Sequence, residues 1–117
     1  LVDDEAMLDP RALVAPRLDG VRLFVWRASI DAAWVVPFAR TRAAELRAYV
    51  VVFDTLRRRA FAVDPDGTVV CGTFGAFELA AFVFDRARTD VWRVAPATDV
   101  REALMRVRDL SSIPAAT

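Results

Sequence analysis

Two chain reversals between residues 49 and 71 constrain the fold more than any other feature of this sequence. Tyr49-Val-Val-Val-Phe-Asp54 is a β-branched and aromatic run, the composition of a central strand. Thr55-Leu-Arg-Arg58 supplies a turn, and Arg59-Ala-Phe-Ala-Val63 alternates as the strand returning beside it. Asp64-Pro-Asp-Gly67 then reverses the chain into Thr68-Val-Val-Cys71. Three consecutive strands joined by tight connections make a meander, so an antiparallel sheet is expected over about residues 49–71.

Asp64-Pro-Asp-Gly67 admits a second reading, as the start of a calcium loop. Such a loop needs further oxygen ligands and a distal glutamate. After Gly67 come Thr, Val, Val, Cys and Gly, with no carboxylate before Glu78. Every residue of the motif instead has a turn duty. Pro65 presets φ, Asp64 caps, and Gly67 takes the left-handed conformation that lets the strand return. It is a turn.

The remaining elements follow from periodicity and capping. Asp3 or Asp4 caps a short helix over Asp4 to Leu8, within an otherwise irregular lead-in of residues 1–20. Val21 to Arg27 alternates as a strand, with Val21, Leu23 and Val25 on one face and Phe24 and Trp26 on the other. Pro37 interrupts the stretch from Ser29 to Leu46, leaving an irregular or briefly helical segment and a helical turn near Thr41 to Arg47. Thr73 can cap a helix over 74–86 that is apolar around most of its circumference. Asp90 to Ala95 reads as a strand. Asp99 and Glu102 form a capping box for a helix over about 99–110, with Val100, Ala103, Leu104 and Val107 on one stripe. The expectation is one α+β domain over residues 21–117, its helices near 74–86 and 99–110 packed on an antiparallel sheet.

Composition narrows the chemistry. The chain of 117 residues contains no Lys, His, Asn or Gln, and all sixteen basic residues are Arg. A GC-rich genome, actinobacterial or viral, disfavours the codons of all four missing types. Without His there is no imidazole base, and without Lys no Schiff base or P-loop lysine. Cys71 is the sole cysteine, so neither an internal disulfide nor a multi-cysteine metal site is available. A lone cysteine on a strand, with no His to activate it, reads as a small core residue. Asp54 and Asp64, at the two ends of the hairpin, read as strand-end solvating groups rather than an acid–base pair. No cofactor and no metal site is expected, and the protein is read as a non-enzyme. Sixteen acids balance the sixteen bases, and no apolar run is long enough to span a bilayer. No signal-peptide pattern opens the chain, so a cytoplasmic or host-intracellular location and no membrane partner are expected. The start at Leu1 rather than Met is what a trimmed chain would show.

The run "YVVVFDTLRRRAFAVDPDGTVVCGTFGAFELAAFVFD", within residues 49–95, resembles the SUKH superfamily, which includes Smi1/Knr4-like and herpesviral US22-like proteins. The matching positions are Val51 to Asp54, Asp66-Gly67, and Phe74 to Phe82, where Phe77 and Phe82 flank Glu78. The Leu-Pro motif of the bacterial members, and the Asn-Gly after it, are absent. The resemblance implies a non-enzymatic module that binds a partner protein, as toxin-immunity proteins and viral antagonists of host defence do. Trp34, Arg57, Arg58, Arg59 and Trp92 are the expected partner contacts, because Trp and Arg dominate interface hot spots. Two other classes stay open. One is nucleic-acid binding through the triple-Arg turn with Arg40, Arg42 and Arg47. The other is a scaffold or homodimer built on the 74–86 helix.

Overall fold

A computed structural model of the protein describes residues 1–73, 82–96 and 98–111. The fold is α+β, with elements in the order α1 (Asp4–Leu8), α2 (Val14–Leu18), β1 (Leu23–Ala28), α3 (Ala32–Leu46), β2 (Tyr49–Asp54), β3 (Arg59–Val63) and β4 (Val69–Thr73). A 3-10 turn (Arg86–Asp90), short strands β5 (Arg93–Ala95) and β6 (Thr98–Asp99), and helix α4 (Val100–Ser111) follow.

The four-stranded sheet runs β1-β2-β3-β4. The two expected reversals are present, since β2 pairs antiparallel with β3 and β3 with β4. The sheet is not wholly antiparallel, however. β1 lies parallel to β2, in a register from Leu23 opposite Tyr49 to Ala28 opposite Asp54. Parallel neighbours need a crossover, and α3 provides it.

α3 also corrects the expectation that Pro37 breaks this segment. It is one helix, with Pro37 inside and Asp31 capping its start by accepting from the Ala33 amide. A proline here removes the bond to the Ala33 carbonyl. Pro37 and Ala33 both lie on the exposed side, where that carbonyl can turn to water. The buried side carries Val35, Ala39, Ala43 and Leu46, small enough for the helix to sit close on the sheet.

The core lies between this helix layer and one face of the sheet. Trp26, Val50, Val52, Phe61 and Val63 face Met7, Val14, Val35, Ala39, Leu46 and Leu104. The lead-in, expected to be irregular beyond α1, contributes to it through a second short helix, α2. Val2 also extends the sheet past β1, its amide donating to the Val25 carbonyl at 2.6 Å. The other sheet face is thinner in apolar cover: Leu23, Val25 and Phe53 are half-buried, and Tyr49 stacks against Phe84 with ring centroids 4.9 Å apart.

The helix expected over 74–86 lies outside the described residues up to 81. Residues 82–85 have no regular structure, and Asp85 caps the 3-10 turn that follows. α4 begins as the capping pattern requires, with the Glu102 amide donating to Asp99 Oδ1 at 3.1 Å. Among the described residues no helix is long and apolar enough to cross a membrane.

Candidate functional site at the carboxyl end of the parallel strands

In open α/β sheets ligands bind outside the carboxyl ends of the parallel strands. Here β1 and β2 end side by side at Ala28 and Asp54. The two departing loops are tied together, the Thr55 amide and hydroxyl both donating to the Ala28 carbonyl at 3.0 Å. Asp54 is fully buried at this end. Its Oδ1 accepts from the Arg57 amide at 3.2 Å and from Arg57 Nη1 at 3.1 Å, and its Oδ2 accepts from Arg59 Nε at 2.9 Å. The Arg57 guanidinium also donates to the Ile30 carbonyl, in the loop after β1, at 2.9 Å. A buried carboxylate thus holds two arginines, and one of these bridges both loops.

A second carboxylate stands at the end of β1. Asp4 Oδ1 accepts from Trp26 Nε1 at 2.9 Å and from the Ser29 amide at 3.1 Å, while Oδ2 accepts from the Ser29 hydroxyl at 2.5 Å. Burial pushes the Asp4 carboxyl up, but the Ser29 and Trp26 hydrogen bonds outweigh it and hold the group below its ordinary range. A carboxylate so stabilised is a weak base toward Ser29. An apolar pocket of about 370 Å³, lined by Leu8, Ile30, Trp34 and Phe38, opens beside the Ile30 carbonyl that Arg57 binds.

The five residues singled out from sequence divide between the two ends of the sheet. Arg57 and Arg59 converge on Asp54, and Trp34 lines the neighbouring pocket with 57% of its surface exposed. Arg58 occupies the turn between them at φ 53°, exposed. Trp92 lies at the opposite end, its ring 4.3 Å under the Arg17 guanidinium carbon, near the start of β2. The Arg57–Arg59 run is therefore no free basic patch, because two of its three guanidiniums are spent on one carboxylate. Arg40, Arg42 and Arg47 do not extend it. Arg40 donates to the Gly67 carbonyl, Arg42 to the Met7 and Leu8 carbonyls, and Arg47 to the Pro65 and Val91 carbonyls.

Asp64-Pro-Asp-Gly67 is the expected turn, and it is heavily braced. Asp64 Oδ1 accepts from the Asp66 and Thr68 amides at 2.9 and 3.1 Å, and Gly67 has φ 83°. Arg47, in the left-handed conformation at the end of α3 (φ 51°), reaches Asp66 Oδ1 at 2.7 Å. Arg88 bonds Asp64 Oδ2 at 3.0 Å and Asp66 Oδ2 at 2.6 Å. Hydrogen bonds from Arg47 and then Arg88 hold the Asp66 carboxyl below its ordinary value. A carboxyl with a depressed folded-state pKa stabilises the fold above its unfolded pKa, and that contribution disappears as pH falls through the folded value. Asp66→Asn is expected to be less stable than the parent at pH 6, with a smaller difference at pH 3, closer to the depressed folded-state value. Urea unfolding at the two pH values reads this directly.

Asp54 and Asp64 do not face each other. They stand at opposite ends of the β2–β3 pairing, roughly five residues or 17 Å apart, each within its own arginine set. Cys71 lies half-buried on β4, opposite Ala62, and burial raises its thiol above the ordinary value. A thiol raised in this way is a poor nucleophile. Among the described residues no group of three acidic or cysteine side chains is placed to hold a metal ion.

No family model and no curated protein matches the sequence, so the SUKH resemblance rests on its residue pattern alone. The fold does have solved relatives in shape. It is similar to the C. elegans NitFhit protein, with a TM-score of 0.64 and 21% identity over 80% of this chain and 26% of that one. It is also similar to Saccharomyces cerevisiae Nit3, a member of branch 10 of the nitrilase superfamily, with a TM-score of 0.55 and 18% identity over 66% of this chain and 33% of that one. The chain thus spans about a quarter to a third of the length of these proteins. These likenesses overturn the expectation of a non-enzyme that works only as a binding module: what this chain is similar to in fold is nitrilase-superfamily protein.

Proposed function

We propose that this chain forms part of an enzyme of the nitrilase-superfamily type, acting on the carbon–nitrogen bond of a nitrile, and that the carboxyl end of β1 and β2 faces the substrate. The observation that carries the reading is the likeness to NitFhit over four-fifths of the chain. It is supported by the position of the Asp54 cluster at the carboxyl end of the parallel pair β1–β2.

In this reading Arg57 is the substrate-facing group. About a quarter of its side chain is exposed, and Asp54 and the Ile30 carbonyl fix its orientation. Its remaining N–H capacity suits the charge that builds up when water or a nucleophile adds across a polarised C≡N bond. Asp54, without exposed surface, is a positioning residue. The pocket formed by Leu8, Ile30, Trp34 and Phe38 suits an apolar or aromatic body on the nitrile. Cys71 has no activating neighbour among the described residues, so the reading assigns the attacking group to residues outside those described.

The test is ammonia release from benzonitrile and phenylacetonitrile by the polypeptide as its source expresses it. Hydrolysis consumes two waters per nitrile and yields the carboxylic acid and ammonia in equal amounts. Equimolar acid and ammonia support the proposal. No release from any nitrile by protein whose circular dichroism shows an intact fold would overturn it.

A further inference from the structure

The end of the sheet away from Asp54 carries a second concentration of charge, which the nitrile reading does not use. Arg17 of α2 is 2% exposed. Its Nε donates to the Leu46 carbonyl at 2.8 Å, and its Nη2 to the carbonyls of Arg47 and Thr89. These are all neutral acceptors, and no carboxylate bonds this buried cation among the described residues. Arg22 stands beside it, bonded to Thr89 Oγ1 and to Asp90 Oδ1 at 2.6 Å. Arg101, in the first turn of α4, is exposed and makes no ion pair among the described residues. The three guanidiniums and the Trp92 ring line a single pocket of about 220 Å³, and Asp90 is the one carboxylate in it. Burial first, then the Arg22, Arg101 and Arg47 charges, push the Arg17 guanidinium down to about 10 against the opposing pull of Asp90. The pocket has more positive charge than its own residues compensate.

We infer that this pocket is a binding site for a small dianionic oxyanion of the phosphate class, held by Arg22 and Arg101 above the buried Arg17. Three guanidiniums arriving from α2, β1's leading loop and α4 approach from different directions. That suits a tetrahedral oxyanion better than a planar carboxylate. One carboxylate against three cations leaves two positive charges, which a phosphate near neutral pH matches. The volume is below that of drug-sized ligand sites, so a compact ion or a single terminal phosphate fits rather than a nucleotide.

Inorganic phosphate is the probe, titrated calorimetrically into the full chain at constant ionic strength set with chloride. Saturable binding is expected, with a rise in melting temperature that chloride does not produce. Arg101→Gln is expected to weaken phosphate about tenfold, the loss of one charge-assisted contact. Because Arg101 is exposed and adds to the uncompensated charge, the unliganded melting temperature should not fall. Phosphate acting no differently from chloride, or binding Arg101→Gln as tightly as the parent, would overturn the site. Acetate binding as tightly as phosphate would overturn the assignment to a phosphate-class ion. None of these readouts depends on nitrile turnover, so this inference and the proposed activity fail independently.

Discussion

Gly72→Ala is expected to remove a large share of the protein's folding stability. Gly72 has φ 131° in β4, opposite the fully buried Phe61. A Cβ built there would lie 2.5 Å from the Ala60 carbonyl oxygen and from Phe61 Cα, and 2.6 Å from Phe61 Cβ. Two of these contacts are backbone atoms of β3, which cannot swing aside as a flexible side chain can. Relief requires β4 to part from β3, or β3 to shift against the helix layer. Overpacking costs about 1–3 kcal/mol and a side chain at this φ about 1–3 more. A total of roughly 2–6 kcal/mol is a large share of the roughly 5–15 kcal/mol that stabilises a domain. Val70→Ala on the same strand, where the side chain is 41% exposed, should cost under about 1 kcal/mol. Guanidinium unfolding followed by tryptophan fluorescence separates the two. Equal midpoints would show that β4 does not pack on β3 as described.

Asp54→Ala is the second large effect, for an electrostatic reason. The carboxylate has no exposed surface, and Arg57 and Arg59 retain 24% and 15% of theirs. Removing it leaves two partly buried guanidiniums without their counter-charge and strips the turn amide of Arg57 of its acceptor. Deleting one partner of a buried ion pair costs about 3–5 kcal/mol, mostly for the charge left behind. Asp54→Asn keeps the shape and one acceptor oxygen, so its loss should be clearly smaller, roughly 1–3 kcal/mol. The order Ala worse than Asn, at unchanged denaturant slope, is the expected result. A loss below about 1 kcal/mol for Asp54→Ala would mean that the cluster is open to water.

The meander was legible because its determinants are local. β-branched runs, an alternating return strand and Asp-Pro-Asp-Gly act over a few residues, and nothing distant overrides them. The crossover was hidden by one residue. Pro37 satisfies the ordinary rule for a helix breaker, and only the exposure of Pro37 and Ala33, a tertiary fact, shows why α3 continues. Without α3 as a continuous helix there is no strand–helix–strand unit, hence no parallel pairing of β1 with β2 and no meeting of Ala28 and Asp54 at their carboxyl ends.

The site itself was half legible. Asp54 followed at three and five residues by Arg57 and Arg59 is a pattern of charge complementarity visible in the chain. Its burial depends on α3 and on the Ile30 carbonyl, neither of which the local pattern reveals. Trp34 and Trp92 share an expected role as partner contacts only by residue type, and the two lie at different ends of the sheet. Arg47 and Arg88, which brace Asp64 and Asp66, had no sequence signal, since the residues they join are nineteen and twenty-two to twenty-four positions apart.

The most direct test of the account is steady-state nitrile hydrolysis by the parent, Arg57→Lys and Trp34→Ala. If the carboxyl end of the parallel strands faces the substrate, Arg57→Lys should lower kcat by about tenfold or more, because a lysine cannot hold the forked contact to Asp54 and the Ile30 carbonyl. Trp34→Ala should raise KM for phenylacetonitrile with kcat nearly unchanged, as loss of uniform binding does. Parent-like kinetics in both variants, with nitrile turnover intact, would contradict the account by placing the substrate somewhere other than this end of the sheet.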